Sequence, residues 1–178
     1  MLNNILRHNK IAICGTHGVG KTTLAKYLSE ISGYKYIPEM ARELLEVKEK
    51  KFNELNARDV MDFQSAVYFS HIFMIRGQTQ FVSDRGIIDH FAYLAYHVRK
   101  GTLYPDLLPL YSILSKKIRT ELVSTYDLIL YYSPEGVNLD REQQEIDNLI
   151  SQYLSLFHPD YVSVNRRTIS GWSNNMVA

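Results

Sequence analysis

Ile11-Ala-Ile-Cys-Gly-Thr-His-Gly-Val-Gly-Lys-Thr-Thr23 carries four apolar residues straight into a glycine-rich turn that ends in Lys21 and Thr22. Gly15, Gly20, Lys21 and Thr22 hold the fixed positions of G-x-x-x-x-G-K-[ST], the Walker A phosphate loop, which requires a strand before it and a helix after it. In such a loop successive backbone N–H groups turn inward. Together with the positive end of the following helix they form an anion site for the α- and β-phosphates of a nucleotide. Glycine is needed where the backbone takes φ > 0 or comes close to the phosphates. Gly15, Thr16, His17, Gly18, Val19, Gly20, Lys21, Thr22 and Thr23 are therefore expected to cradle ATP. Lys21 would bridge the β- and γ-phosphates, and the Thr22 hydroxyl would be a ligand of Mg²⁺, an ion that keeps most of its waters.

Outward from the loop, short apolar runs alternate with amphipathic stretches. Lys10 to Cys14 reads as the first and central strand, its continuous apolar character suiting a sheet covered on both faces. Leu24, Tyr27, Leu28 and Ile31 follow at helical spacing until Gly33 ends the helix. Further strands are expected at 34–37, 80–84, 126–132 and 161–164. Helices are expected at 39–46, from an Asn56 N-cap to about Arg76, at 87–98, at 106–124 with Pro109 marking the start of its regular part, and at 143–157. The aromatic face of Phe91, Tyr93 and Tyr96 reads as core. Lys48 to Lys51 is a solvated charge run, 101–105 and 133–142 are loops, and 170–178 is a turn and loose tail after a short polar N-terminal lead. Strands alternating with helices argue for an α/β fold, a mainly parallel sheet with right-handed crossovers and helices on both faces.

Composition narrows the field without choosing a function. The 178 residues, 46% hydrophobic and 22% charged, suit one soluble domain spanning 1–178. Twenty Lys and Arg against nineteen Asp and Glu leave a net charge of +1, so no bulk field recruits nucleic acid or a membrane. The single Cys14 lies in the first strand, which excludes a disulfide framework and fits a reducing compartment. No apolar run approaches the roughly 18 residues of a membrane span. The N-terminus lacks the apolar core of a signal peptide, so a cytoplasmic protein is expected. The oligomeric state stays open between monomer and homodimer.

Chemistry is expected where strands end, because the carboxyl edge of a parallel sheet faces the ligand crevice. Asp84 can reach Mg²⁺ or its waters there while Arg85 places positive charge on a transferring phosphate; the alternative is a helix cap and a surface pair. Glu39 and Arg42, one helical turn apart, form either a surface ion pair or an acceptor site in which Glu39 orients a hydroxyl and Arg42 holds a phosphate. Arg141, read in the 133–142 loop, is either a lid cation over the γ-phosphate or part of a solvated cluster with Asp140 and Glu142. Gln64 either faces the pocket and reads a base edge or belongs to a polar helix surface. A GTPase would carry an Asn/Thr-Lys-x-Asp base reader, and the sequence has none.

The series Gly15-Thr-His-Gly-Val-Gly-Lys-Thr-Thr23, Pro38-Glu-Met-Ala-Arg42, Gln64, Val82-Ser-Asp-Arg-Gly-Ile-Ile-Asp89 with Tyr93, and Tyr126-Asp-Leu-Ile-Leu-Tyr resembles the small P-loop kinases. It is similar to the branch that includes the nicotinamide riboside kinase domain and the AAA-type ATP-binding small kinases, with deoxynucleoside and thymidylate kinases as wider relatives. The resemblance covers about Lys10 to Gly171. It implies a three-layer P-loop NTPase fold with five parallel strands in the order 2-3-1-4-5. It implies a match of Asp84-Arg85 to the Asp-Arg of thymidylate kinases and of Gln64 to the base-pairing glutamine of deoxynucleoside kinases, and it places Asp89 beside the substrate. Gly86 stands where deoxynucleoside kinases carry serine, Met40-Ala41 departs from the thymidylate kinase pattern, and one lid arginine stands where several are common. The function implied is transfer of the γ-phosphate of ATP to a nucleoside or nucleoside monophosphate. The alternatives are a kinase of a hydroxymethylated base in DNA, using a patch of Lys48, Lys50, Lys51, Lys116, Lys117, Arg166 and Arg167, and a regulatory ATPase with no small-molecule acceptor.

Overall fold

A computed structural model describes residues 1–47, 57–101 and 108–174. The chain runs α1 (Leu2–Ile5), β1 (Lys10–Cys14), α2 (Lys21–Ser32), β2 (Lys35–Ile37), α3 (Ala41–Val47), α4 (Ala57–Ile75), β3 (Phe81–Ser83), α5 (Ile87–Arg99), α6 (Leu108–Thr125), β4 (Leu128–Tyr132), α7 (Arg141–Phe157), β5 (Val162–Val164) and α8 (Arg166–Asn174). The five strands form one sheet in the order β2-β3-β1-β4-β5. Every pairing is parallel, with Ile11 opposite Val82 on one side and Leu128 on the other.

The apolar runs are continuous because side chains of period two go to different cores. Ile11, Ile13, Leu128 and Leu130 pack with Leu24 and Leu28 of α2 and Trp172 of α8. Ala12, Cys14, Ile129 and Tyr131 pack with Met61 and Tyr68 of α4, Ile88 and Leu94 of α5, and Ile146 and Leu149 of α7. Cys14 is free and fully buried, as its place in the strand implies. Gly33 takes φ 71° at the end of α2, the left-handed cap expected there.

Three expectations are corrected. The N-terminal lead contains α1, whose Ile5 enters the α2-side core. The segment from Ser170 is not a loose tail as far as Asn174: Asn165 accepts from the Thr168 N–H at 2.9 Å, capping α8, and Trp172 anchors it. Finally α7 begins at Arg141 rather than 143, because Asp140 and Gln143 form a reciprocal capping box. The Lys48 to Lys51 run, the Asn56 cap, the greater part of the 101–105 loop and residues 175–178 lie outside the described residues.

Candidate active site

β1 delivers the chain to the phosphate loop at the centre of the carboxyl edge. Gly15 takes φ 143°, and a Cβ there would stand 2.8 Å from the backbone oxygen of Tyr132, so both conformation and space require glycine. Successive loop residues are braced by side chains from flanking elements. Asp89 accepts from the Gly15 N–H at 3.1 Å, Asp147, itself held by the Tyr131 hydroxyl at 2.7 Å, lies near the Thr16 N–H, and Gln143 donates to the His17 carbonyl at 3.3 Å. Such bracing fixes the shape of the loop. Lys21 is buried and donates to the Thr16 carbonyl at 2.6 Å. Burial and the neighbouring Arg85 charge lower its pKa to about 8.

Asp84 follows β3 directly and is buried. Tyr36 donates to its Oδ2 at 3.2 Å and Thr22 hydrogen-bonds to it as well, while Oδ1 has no partner among the described residues. Burial raises the Asp84 pKa against the hydrogen bond from Thr22 and the pull of Lys21. A buried carboxylate oxygen with no hydrogen-bond partner, beside an exposed threonine hydroxyl at the loop's end, fits a hard cation with its waters.

Arg85 is anchored on three sides. Its Nε and Nη2 reach Glu39 Oε1 at 2.8 and 2.6 Å, its Nη1 donates to the Gly15 carbonyl at 3.0 Å, and its guanidinium lies 5.3 Å from the Tyr93 ring centre. Burial alone would lower its pKa, but Tyr93, Glu39 and Asp89 more than offset it, so it stays charged. Tyr93 also meets His17 Nδ1 through its hydroxyl at 3.0 Å.

Beside this cluster lies a cavity of about 280 Å³. Glu39, Gln64, Arg85 and Asp89 line it together with His17, His90, Phe63, Val67 and Tyr93. A second cavity, about 230 Å³, lies on the other side of the loop between Gly20, Thr23, Tyr27, Tyr132 and Ile169. The structure thus brings Glu39, Gln64 and Arg85 together around one cavity.

Other sequence candidates fare differently. Asp89 lines the cavity, and its two carboxylate oxygens accept the Gly15 and Gly86 N–H groups, so it also ties the loop to α5. Arg141 is 88% exposed and paired with Glu145 at 3.1 Å, one turn along α7; it does not join the site. Arg42 lies on α3, and its side chain is outside the described residues. Lys116 and Lys117 on α6 and Arg166 and Arg167 on α8 sit on helices that cover opposite faces of the sheet, so those four do not form one patch.

Sequence reasoning missed Tyr36, Asp147, His71 and His90. Asp147 had a signal, a carboxylate among Ile146, Leu149 and Ile150 on a buried helix face. His71 had another, sitting at i+4 from Val67 and i−4 from Ile75 on the apolar stripe of α4. Tyr36 had none.

The family model described as AAA domain matches residues 10–170. The chain belongs to that family. Among solved structures this AAA-domain chain is similar to NadR in complex with NR, at 20% identity and a TM-score of 0.65, over 86% of this chain and 42% of that one. It therefore spans less than half the length of NadR. It is similar to deoxyadenosine kinase from M. mycoides with bound dATP, at 16% identity and a TM-score of 0.67, over 95% of this chain and 100% of that one. It is also similar to shikimate kinase from Acinetobacter baumannii in complex with shikimate, at 11% identity and a TM-score of 0.51, over 99% of this chain and 95% of that one. These are likenesses of fold, and they bear out the P-loop α/β architecture with its 2-3-1-4-5 strand order. No curated protein matches the sequence closely enough to count as a relative. Among the described residues no helix is long and apolar enough to cross a membrane.

Proposed function

We propose that the protein is an ATP- and Mg²⁺-dependent phosphotransferase that moves the γ-phosphate of ATP to a hydroxyl of a nucleoside-sized acceptor. The observation that carries this reading is the cavity that meets the phosphate loop at His17 and Arg85. Its volume lies near the lower end of the roughly 300–1,000 Å³ usual for small-molecule sites. Its apolar walls with a few convergent polar groups suit a planar base and a sugar. The neighbours' names agree in kind: NadR holds NR, and the M. mycoides enzyme is a deoxyadenosine kinase.

The roles follow from placement. ATP would lay its phosphates in the loop Gly15 to Thr23, with its base toward the Tyr27, Tyr132 and Ile169 cavity. Thr22, and Asp84 directly or through water, would hold Mg²⁺, which supplies charge neutralisation on the β- and γ-phosphates when bound. Lys21 and Arg85 place positive charge on the transferring group. The acceptor oxygen attacks the γ-phosphorus, the bond to the β,γ-bridging oxygen breaks, ADP leaves, and the hydroxyl proton passes to Glu39. Glu39 is favoured over Asp84 as the base because it lines the cavity, whereas Asp84 is turned to Tyr36 and Thr22.

A hydroxyl acceptor is favoured over a monophosphate. Among the described residues lining the cavity Arg85 is the one cation, already paired with Glu39, and Asp89 and Glu142 add negative character. Burial also keeps His17 and His90 neutral. The test is ADP release with ATP and Mg²⁺ against nucleosides, their 5′-monophosphates, nicotinamide riboside and hydroxymethylated DNA. Turnover should depend on a nucleoside. Preference for a monophosphate or for DNA would overturn the acceptor assignment.

A further inference from the structure

Behind the acceptor cavity, four polar side chains are buried in one chain of contacts. The Ile87 N–H donates to Tyr126 Oη at 3.2 Å; Tyr126 Oη lies 3.2 Å and Ser83 Oγ 3.0 Å from His71 Nε2; His71 Nδ1 lies 2.7 Å from His90 Nε2. His90 belongs to α5 and lines the cavity. Neither the loop chemistry nor the transfer step uses this chain.

Its protons follow from counting the donors and acceptors left stranded by each tautomer. Among the described residues the hydroxyl hydrogens of Tyr126 and Ser83 have one acceptor within reach, His71 Nε2. Its single lone pair takes one of the two hydrogens; were that nitrogen protonated, both would be stranded in the core, the larger cost for buried polar groups. His71 therefore carries its proton on Nδ1 and donates to His90 Nε2. Both rings are neutral, since burial and the Arg85 charge push His71 down to about 4 and burial, His71 and Arg85 lower His90 as well. A neutral His90 whose Nε2 accepts must carry its hydrogen on Nδ1. That nitrogen has no protein partner among the described residues.

We propose that His90 is a specificity-determining hydrogen-bond donor of the acceptor cavity, its Nδ1–H presented to a carbonyl oxygen or ring nitrogen of the acceptor's base and oriented through His71 by Tyr126 and Ser83. His71 is a positioning residue. The proposal rests on the small-molecule acceptor reading above, and it gives the cavity a donor beside the Gln64 amide. Such a site selects bases with an acceptor atom at that point, because a base lacking one leaves the His90 donor unpaired.

The experiment uses the full chain labelled with ¹⁵N-histidine, and deoxyadenosine, deoxycytidine, thymidine and nicotinamide riboside as probes. Long-range ¹H–¹⁵N spectra of the free protein should show both His71 and His90 as Nδ1–H tautomers. At least one probe should shift the His90 Nδ1 resonance. For a phosphorylated probe, His90→Phe should raise KM about 10-fold or more with kcat within about 3-fold, and His90→Asn, which restores a donor near Nδ1, should recover part of the loss. His71→Phe should raise KM in the same direction, with a smaller effect on kcat. Since either phenylalanine variant can fail to fold, the wild-type spectra decide independently. His90 carrying its proton on Nε2, or unmoved by all four probes, overturns the proposal whether or not phosphate is transferred. A probe that shifts His90 without being phosphorylated supports the proposal and removes the phosphotransfer reading for that compound.

Discussion

Replacing Glu39 separates its two roles, counter-ion to Arg85 and base for the acceptor hydroxyl. One carboxylate oxygen takes two guanidinium contacts, at 2.8 and 2.6 Å, with the Arg85 side chain 7% and the Glu39 side chain 28% exposed. Breaking a fully buried pair costs about 3–5 kcal/mol and an exposed pair about 0–1. The half-sheltered Glu39 falls between. Glu39→Gln keeps an oxygen that can accept both N–H groups and loses only the charge, so about 1–2 kcal/mol is expected. Glu39→Ala also strands two buried donors, adding about 1–3 kcal/mol. For a chain of this size each kcal/mol moves Tm by roughly 2–4 °C, so melting should fall by about 5 °C for glutamine and about 10 °C for alanine. Activity should behave differently. Loss of a general base lowers kcat by about 100-fold or more even where geometry survives, so Glu39→Gln should be nearly as inactive as Glu39→Ala despite its milder melting loss. The assay is coupled ADP release with the best acceptor of the panel, alongside thermal melting. If Glu39→Gln kept kcat within about 3-fold, Glu39 would be a counter-ion to Arg85 and nothing more.

A Cβ added at Gly86 would overlap Cys14 Sγ, so Gly86→Ala should cost about 1–3 kcal/mol by overpacking. Adding Cys14→Ala should return part of it in denaturant melts; strictly additive losses would show that the contact is not the cause. Burial, against the pull of Arg85 and Lys21, raises the Asp89 pKa to about 6 from 3.8. The folded state then binds this proton more readily than the unfolded one, and Asp89's contribution to stability rises as pH falls from about 7 towards 4, by roughly 3 kcal/mol over the whole window. His71 and His97, lowered mainly by burial to about 4, act in the opposite sense, so the effect is read as the melting difference between wild type and Asp89→Asn, which should move in favour of wild type on acidification. A pH-independent difference would refute it. Arg141→Ala should leave kcat within about 3-fold, its ion pair being exposed; a loss of 10-fold or more would restore a lid role.

The architecture was legible because a parallel sheet covered on both faces writes itself as short apolar runs, and Gly15, Gly18 and Gly20, all at positive φ, punctuate the loop between β1 and α2. Glu39 and Arg85 were legible because each comes just after a strand, whereas Gln64, midway along α4, was singled out from a polar helix surface only by the resemblance. Element ends were less so. Asp140-Arg-Glu-Gln143 is a helix-start signature, and reading it as a loop turned Arg141 into a candidate lid cation. Trp172 makes a helix of a segment whose composition suggests a tail. Asp89 shows the deeper limit: sequence gives a carboxylate near the site, but only packing shows that two backbone N–H groups already occupy it. Likewise the His71–His90 contact joins residues from α4 and α5 that no local pattern pairs.

Transfer of a radiolabelled γ-phosphate from ATP onto an acceptor, compared between the wild-type protein and Lys21→Ala, tests the central claim most directly. The account predicts a labelled nucleoside product with the wild-type protein, and loss of that product in Lys21→Ala at an unchanged fold by circular dichroism. Label released only as inorganic phosphate, independent of every acceptor offered, would contradict it and point to a regulatory ATPase.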